Sequence, residues 1–205
     1  MLSHHSHNKE MGSETRTSIP VPPFVVKATT IASLGGLLFG FDLGCISGVL
    51  PQIVSAFDLT ERQSEFVVSS LYVGGGVGAA IGGSLCDAAG RRAAIFVTDV
   101  VFLLGAVILY FSPSLAVVLV GRVVMGFGVA VSAIADVSYL HEISPPEWRG
   151  SIVSVNEACI SLGFLVAYIV GYLVTAVDPV EGWRTIFGLS GSIAVHSIHW
   201  DASDA

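Results

Sequence analysis

The stretch "GGLLFGFDLG", Gly35 to Gly44, lies inside an apolar run from Phe24 to Leu50 and carries a carboxylate, Asp42, near its middle. A hydrocarbon core about 30 Å thick is crossed by roughly 20 apolar residues rising about 1.5 Å each, so this run is long enough to span a bilayer. An unpaired charge at that depth costs roughly 3 kcal/mol or more, and intramembrane acids therefore face a bundle interior or a water-filled path. Asp42 thus implies further helices around the first, and a partner for its charge.

Working outward, four more runs meet or nearly meet the spanning length: Phe66–Leu85, Ala93–Phe111, Leu115–Tyr139 and Ile152–Val174. A sixth begins at Ile186 with "IFGLSGSIAV", but the polar "HSIHWDASDA" follows it. With 53% hydrophobic and 12% charged residues and a mean hydropathy of +0.77, the chain lies well outside the composition of a soluble domain. The expected fold is an all-α membrane protein with five full transmembrane helices and a truncated sixth. Residues 24–200 are expected to form the bundle, between a disordered polar tail over residues 1–23 and a short polar tail over 201–205. The first run is too long, and too poor in small residues at a cleavage position, to be a removable signal.

His4, His5 and His7 read as part of the mobile tail rather than as a metal site. Cys45, Cys86 and Cys159 fall within or at the ends of spans, where cysteine behaves as a small apolar residue. There is no H-E-x-x-H, no P-loop and no nucleophile at a recognisable distance from a base, so no catalytic residue, cofactor, metal or nucleic-acid partner is expected. The "MGFG" glycines have no strand before them, which removes a dinucleotide site.

Orientation follows Lys and Arg in short loops and largely ignores acids, so the net charge of −7 is a weak guide. A cytoplasmic amino terminus places Lys9, Arg16, Lys27, Arg91, Arg92 and Arg149 inside and only Arg62 and Arg184 outside. Arg122 falls within the fourth span. In the second span, Gly74, Gly78 and Gly82 recur every four residues, leaving one helix face nearly bare for a neighbouring backbone.

Asp42 precedes Leu50 by eight residues, about 12 Å in a helix, and Arg122 lies nine residues past Pro113, about 13 Å along the fourth span. Opposite charges at one depth are expected to pair, and a carboxylate whose arginine can approach or withdraw changes its affinity for a proton. Asp42 is the candidate proton acceptor and Arg122 its modulator. Asp99 and Glu157, each about 10 Å from the cytoplasmic side, either line an inner vestibule or are packed and hydrogen-bonded. Asp136, nearer its helix end, reads as snorkelling toward water.

The segments "GGLLFGFDLGCISGVL", "GGSLCDAAGRR", "GRVVMGFG", "YLHEISPPEWRGSIVSVNEA" and "GWRTIFG" resemble, in order and spacing from about Ile31 to Gly188, the sugar porter family of the major facilitator superfamily. Within that family the chain looks most like the class III facilitated glucose transporters. The resemblance implies that Asp42 and Arg122 occupy the positions of the proton-binding acid and its arginine. It also implies a cytoplasmic gate at Gly83, Asp87, Gly90, Arg91 and Arg92, with Glu142 and Arg149 among the charges that bridge the two halves of such carriers. Two departures bear on the substrate. Val137 stands where sugar porters usually carry a proline, and Phe164 stands where many hexose carriers have a sugar-binding glutamine, a departure the class III relatives share. Phe164 and Glu157 are the candidate substrate contacts; a ring stacks on a pyranose face but supplies no hydrogen bonds.

The expected function is transport of a hexose or related sugar or polyol, coupled to protons, by alternating access in the plasma membrane or an endomembrane. A complete member has two six-helix halves with the substrate between them. The chain is therefore expected to be a fragment or truncated form whose site needs the missing carboxy-terminal half or another copy. The alternatives are a homo-oligomeric half-carrier and a transport-inactive product that acts as a binding partner or assembly competitor.

Overall fold

The computed structural model describes residues 22–203. The expectations for the histidine-bearing tail and for the last two residues lie outside the described residues. Among the described residues six helices follow one another: α1 (Pro23–Phe57), α2 (Glu61–Ala89), α3 (Arg91–Tyr110), α4 (Leu115–Ile143), α5 (Arg149–Val177) and α6 (Gly182–Ser203). There is no strand among the described residues.

The helix ends follow from local chemistry. Pro23 opens α1, where a missing N–H is no loss and a fixed φ favours the helix. Thr60 and Gln63 form a reciprocal capping box at the start of α2. Gly90, at φ +85°, turns the chain between α2 and α3, a conformation that a side chain would strain. Between α5 and α6 the Asp178 carboxylate accepts from the Val180 and Glu181 amides at 3.1 and 3.0 Å.

Two tight seams organise the bundle, α1 along α5 and α2 along α4, while α3 packs on α4 and α6 bridges α3 and α1. In the first seam a Cβ on Gly40 would overlap the Ile160 carbonyl oxygen, and one on Gly163 the Leu37 carbonyl oxygen. In the second, Gly74 meets the Val123 carbonyl and Gly126 the Leu71 carbonyl in the same way. Matching α1, α2 and α3 to α4, α5 and α6 in chain order exchanges these seams, the pairing expected of two inverted three-helix repeats. Gly78 and Gly82 extend the second seam against Phe127, Val131 and Ile134, as the four-residue spacing requires. The main apolar core, including Phe41, Val49, Leu71, Met125, Trp183 and Phe187, lies where the helices converge.

Alternation of direction puts the starts of α1, α3 and α5 at one end with Arg91 and Arg149, here the basic end. Arg62 and Arg184 lie at the opposite end. There Arg184 donates to the Tyr110 carbonyl at 2.8 Å, and Gln52 donates to Thr175 at 3.0 Å and to the Asp178 carbonyl at 3.3 Å.

The helices outlast the apolar runs. α1 continues past Leu50 through Pro51 and Gln52 because α5 and α6 hold its end. The sixth element is a full 22-residue helix starting at Gly182, about 33 Å long, rather than a stub from Ile186. Among the described residues, five helices are long and apolar enough to cross a membrane, and α6 is not among them. Trp183, Ile186, Phe187 and Ala194 are nevertheless fully buried, so packing sustains α6 where its hydropathy falls short.

Candidate functional site

Asp42 lies on the buried face of α1 with Leu38, Phe41, Cys45 and Val49, at the three- and four-residue spacing of one helix side. Arg122 lies on the buried face of α4 with Val118, Met125 and Val129. The two faces meet, bringing Arg122 Nη1 to 3.9 Å from Asp42 Oδ1, with the side chains 1% and 0% exposed. That separation is an ion pair without a direct hydrogen bond. Asp42 Oδ1 and Oδ2 and Arg122 Nε and Nη1 have no hydrogen-bond partner within the protein. Cys45 Sγ donates to the Asp42 backbone carbonyl at 3.1 Å, leaving the carboxylate to the arginine.

Leu50, the end of the apolar run, is not the end of α1. Asp42 lies about 22 Å from the α1 terminus at Phe57, whereas Arg122 lies about 10 Å from the α4 start at Leu115. The pair forms because α1 reaches beyond α4 at that end of the bundle.

Toward the basic end, the same faces of α1 and α4 open onto a cavity of about 220 Å³, enclosed with α3 and α5. Asp99, Asp136, Asn156 and Glu157 supply its polar wall together with Thr98 and Ser132. Asp99 and Glu157 both line this cavity, Asp99 buried and Glu157 exposed. Asp136 corrects its reading: it is 4% exposed and lines the cavity, accepting from Ser132 at 3.1 Å, rather than reaching for water at the helix end. The physical reason is helical phase, since Asp136 follows Arg122 by about four turns and shares its inward face. Asn156 was missed as well. Its signal was a buried-face position inside "SVNEA", one residue before the acid that drew attention.

Phe164 is half-buried beside Gly44 of α1 and outside this cavity's wall, so the structure does not bring it together with Glu157.

At the basic end, Arg91 pairs with Asp87 at 2.5 Å and with Glu142 at 3.1 Å, joining the α2–α3 turn to the end of α4. Gly90 supplies the turn, Gly83 faces open space and Arg92 is exposed. Arg149 does not join this cluster; it donates to the Ser144 carbonyl at 3.5 Å, two residues beyond Glu142. Pro145 and Pro146 lie between the end of α4 and the start of α5 there.

The described residues form a helical membrane bundle with a buried acid and arginine between its first and fourth helices. The chain belongs to the sugar (and other) transporter family, whose model matches residues 28–200. It is 42% identical over 161 residues to "Solute carrier family 2, facilitated glucose transporter member 10" of Danio rerio, an overlap covering 78% of this chain and 31% of that protein. It is 37% identical over 176 residues to "Inositol transporter 4" of Arabidopsis thaliana, covering 84% of this chain and 30% of the relative. A structure of the proton:xylose symporter XylE with 6-bromo-6-deoxy-D-glucose superposes with a TM-score of 0.82 and 25% identity, over 88% of this chain and 44% of that one. The protein is a multi-pass membrane protein with the amino-terminal part of the major facilitator fold. It spans about a third of the length of these curated relatives.

Proposed function

We propose that this chain forms the amino-terminal bundle of a proton-coupled carrier for a hexose or a related polyol, working by alternating access with its amino terminus in the cytoplasm. The observation that carries this reading is the Asp42–Arg122 pair, fully buried yet 3.9 Å apart. A buried acid and base that touch in the best hydrogen-bonded geometry form a static tie. At this spacing a small helix movement changes their attraction strongly, because the surrounding dielectric is low. When Arg122 is close, the charged form of Asp42 is favoured; when it withdraws, desolvation favours the proton. Proton binding and helix position are then linked, which is what a symporter requires.

Similarity to carriers named for glucose, inositol and xylose supports a hydroxylated substrate. The carboxy-terminal bundle of a major facilitator carrier, or another copy of this chain, completes the site between the halves. Asp87, Arg91 and Glu142 act as the cytoplasmic gate, and the charges they share open with the halves.

Uptake of labelled hexose into proteoliposomes tests this, using the chain alone and the chain co-expressed with the carboxy-terminal half of a relative. Gradient-driven uptake that requires Asp42 is the expected result. Uptake indifferent to the proton gradient in every pairing contradicts coupling.

A further inference from the structure

The seam between α1 and α5 carries a groove of its own, toward the end of the bundle that holds Arg62 and Arg184. Glycine opens it. One turn before the groove a Cβ on Gly44 would come within 3.2 Å of Phe164 Cα, and where Gly48 crosses Gly171 a Cβ on either would meet the other's Cα at 3.2 or 3.5 Å. The two backbones touch there with no side chain to fill the space beside them. The groove that results holds about 390 Å³, within the range of about 300–1,000 Å³ for small-molecule sites.

Ser47 of α1 and Tyr168, Tyr172 and Thr175 of α5 bring hydroxyl groups to its wall, and among the described residues no charged side chain lines it. Gln52 donates to Thr175 Oγ1 at 3.0 Å, which uses an acceptor lone pair and leaves the Thr175 proton to donate. Tyr168 and Tyr172 follow Phe164 at four-residue steps, so three rings share one side of α5 at intervals of about 6 Å.

Lipid does not account for this wall. Tyr172, about 8 Å from the α5 end at Val177, fits an interfacial belt of aromatic residues; Tyr168, about 14 Å from that end, lies below it. Tyr168 is 52% exposed, at a depth where acyl chains offer a phenol hydroxyl no partner. Side chains tilt toward the amino terminus of a helix, here away from the nearer interface, so Tyr168 is poorly placed to reach headgroups. The absence of charge excludes an ionic ligand. Flat rings beside hydroxyl groups suit a neutral polyol ring, which offers C–H faces for stacking and hydroxyls for hydrogen bonds.

We propose that this groove binds one neutral hydroxylated ring, a pyranose or a cyclitol, with Tyr168 as the stacking platform and Ser47 and Thr175 as hydrogen-bonding groups. Gly48 lies six residues, about 9 Å, beyond Asp42, so the groove is a subsite outward of the buried pair. Its place on a transport path rests on the carrier reading given above; its binding rests on the groove alone.

The test measures binding of D-glucose and myo-inositol to the full chain in lipid nanodiscs by saturation-transfer NMR, with helix content checked by circular dichroism. Tyr168→Ala is expected to weaken binding about fivefold and Tyr168→Phe to keep it within about twofold. Ser47→Leu, at an exposed position, fills the groove and is expected to abolish binding, whereas Asp42→Asn leaves it in place. No saturable binding of either polyol, or binding unchanged in folded Tyr168→Ala and Ser47→Leu, overturns the proposal. In the carrier assembled with a carboxy-terminal half, Tyr168→Ala is expected to raise KM for uptake from the outer face about fivefold with kcat kept. That shift in KM with uptake indifferent to the proton gradient would support the subsite and contradict coupling. Gradient-driven uptake that needs Asp42, with KM unchanged in Tyr168→Ala, would overturn the subsite and leave the carrier reading standing.

Discussion

The Asp42–Arg122 pair and the Asp87–Arg91–Glu142 cluster contain the same chemical groups in opposite surroundings. The contacts at the basic end are short, 2.5 and 3.1 Å, yet Asp87 and Glu142 are 71% and 55% exposed. The interior pair is longer, at 3.9 Å, and sealed. Distance alone ranks the surface cluster higher. Dielectric reverses the order, because exposed pairs trade one set of hydrated charges for another, while a buried charge deprived of its partner has nothing to replace it.

Arg122→Ala breaks the comparison most severely. It leaves Asp42 buried without its cation and is expected to destabilise the chain by about 3–5 kcal/mol in reversible unfolding from mixed micelles; a loss under about 1 kcal/mol would mean that water already reaches the acid. Next comes the double change Asp42→Leu with Arg122→Met, which removes both charges and keeps much of the volume. It is expected to recover most of that loss, and additive losses would count against direct coupling. Asp87→Asn and Glu142→Gln are expected to move the unfolding midpoint only slightly, by an amount that disappears in molar salt. Arg92→Ala, outside both networks, is expected to leave the midpoint unchanged. A shift comparable with that of the Asp87 variant would show that Arg92 shares in the ion pairs of the basic end.

Much of this architecture was legible because lipid simplifies the code. Apolar length marked five helices, and a charge inside such a run had to find a partner, so Asp42 led to Arg122. The bare face of Gly74, Gly78 and Gly82 foretold a close seam for the same reason, since only a neighbouring backbone fits there. What escaped was phase and continuation. Asp136 was judged by its distance from the helix end, although its angular position on α4 placed it beneath Arg122. α1 ran on past Leu50, and α6 began at Gly182, because contacts with neighbouring helices stabilise turns that hydropathy does not. Arg149 was linked to the gate by motif; in the structure it donates to the Ser144 carbonyl. The roles of these residues are a further step, argued from the electrostatics of the buried pair.

Proton-driven accumulation by the assembled carrier reads the role of Asp42 most directly. With the chain paired to a carboxy-terminal half, Asp42→Asn is expected to abolish accumulation of labelled hexose against its gradient while exchange between equal concentrations on both sides persists. Accumulation at the unsubstituted level, with the same dependence on the proton gradient, would show that the coupling proton binds elsewhere.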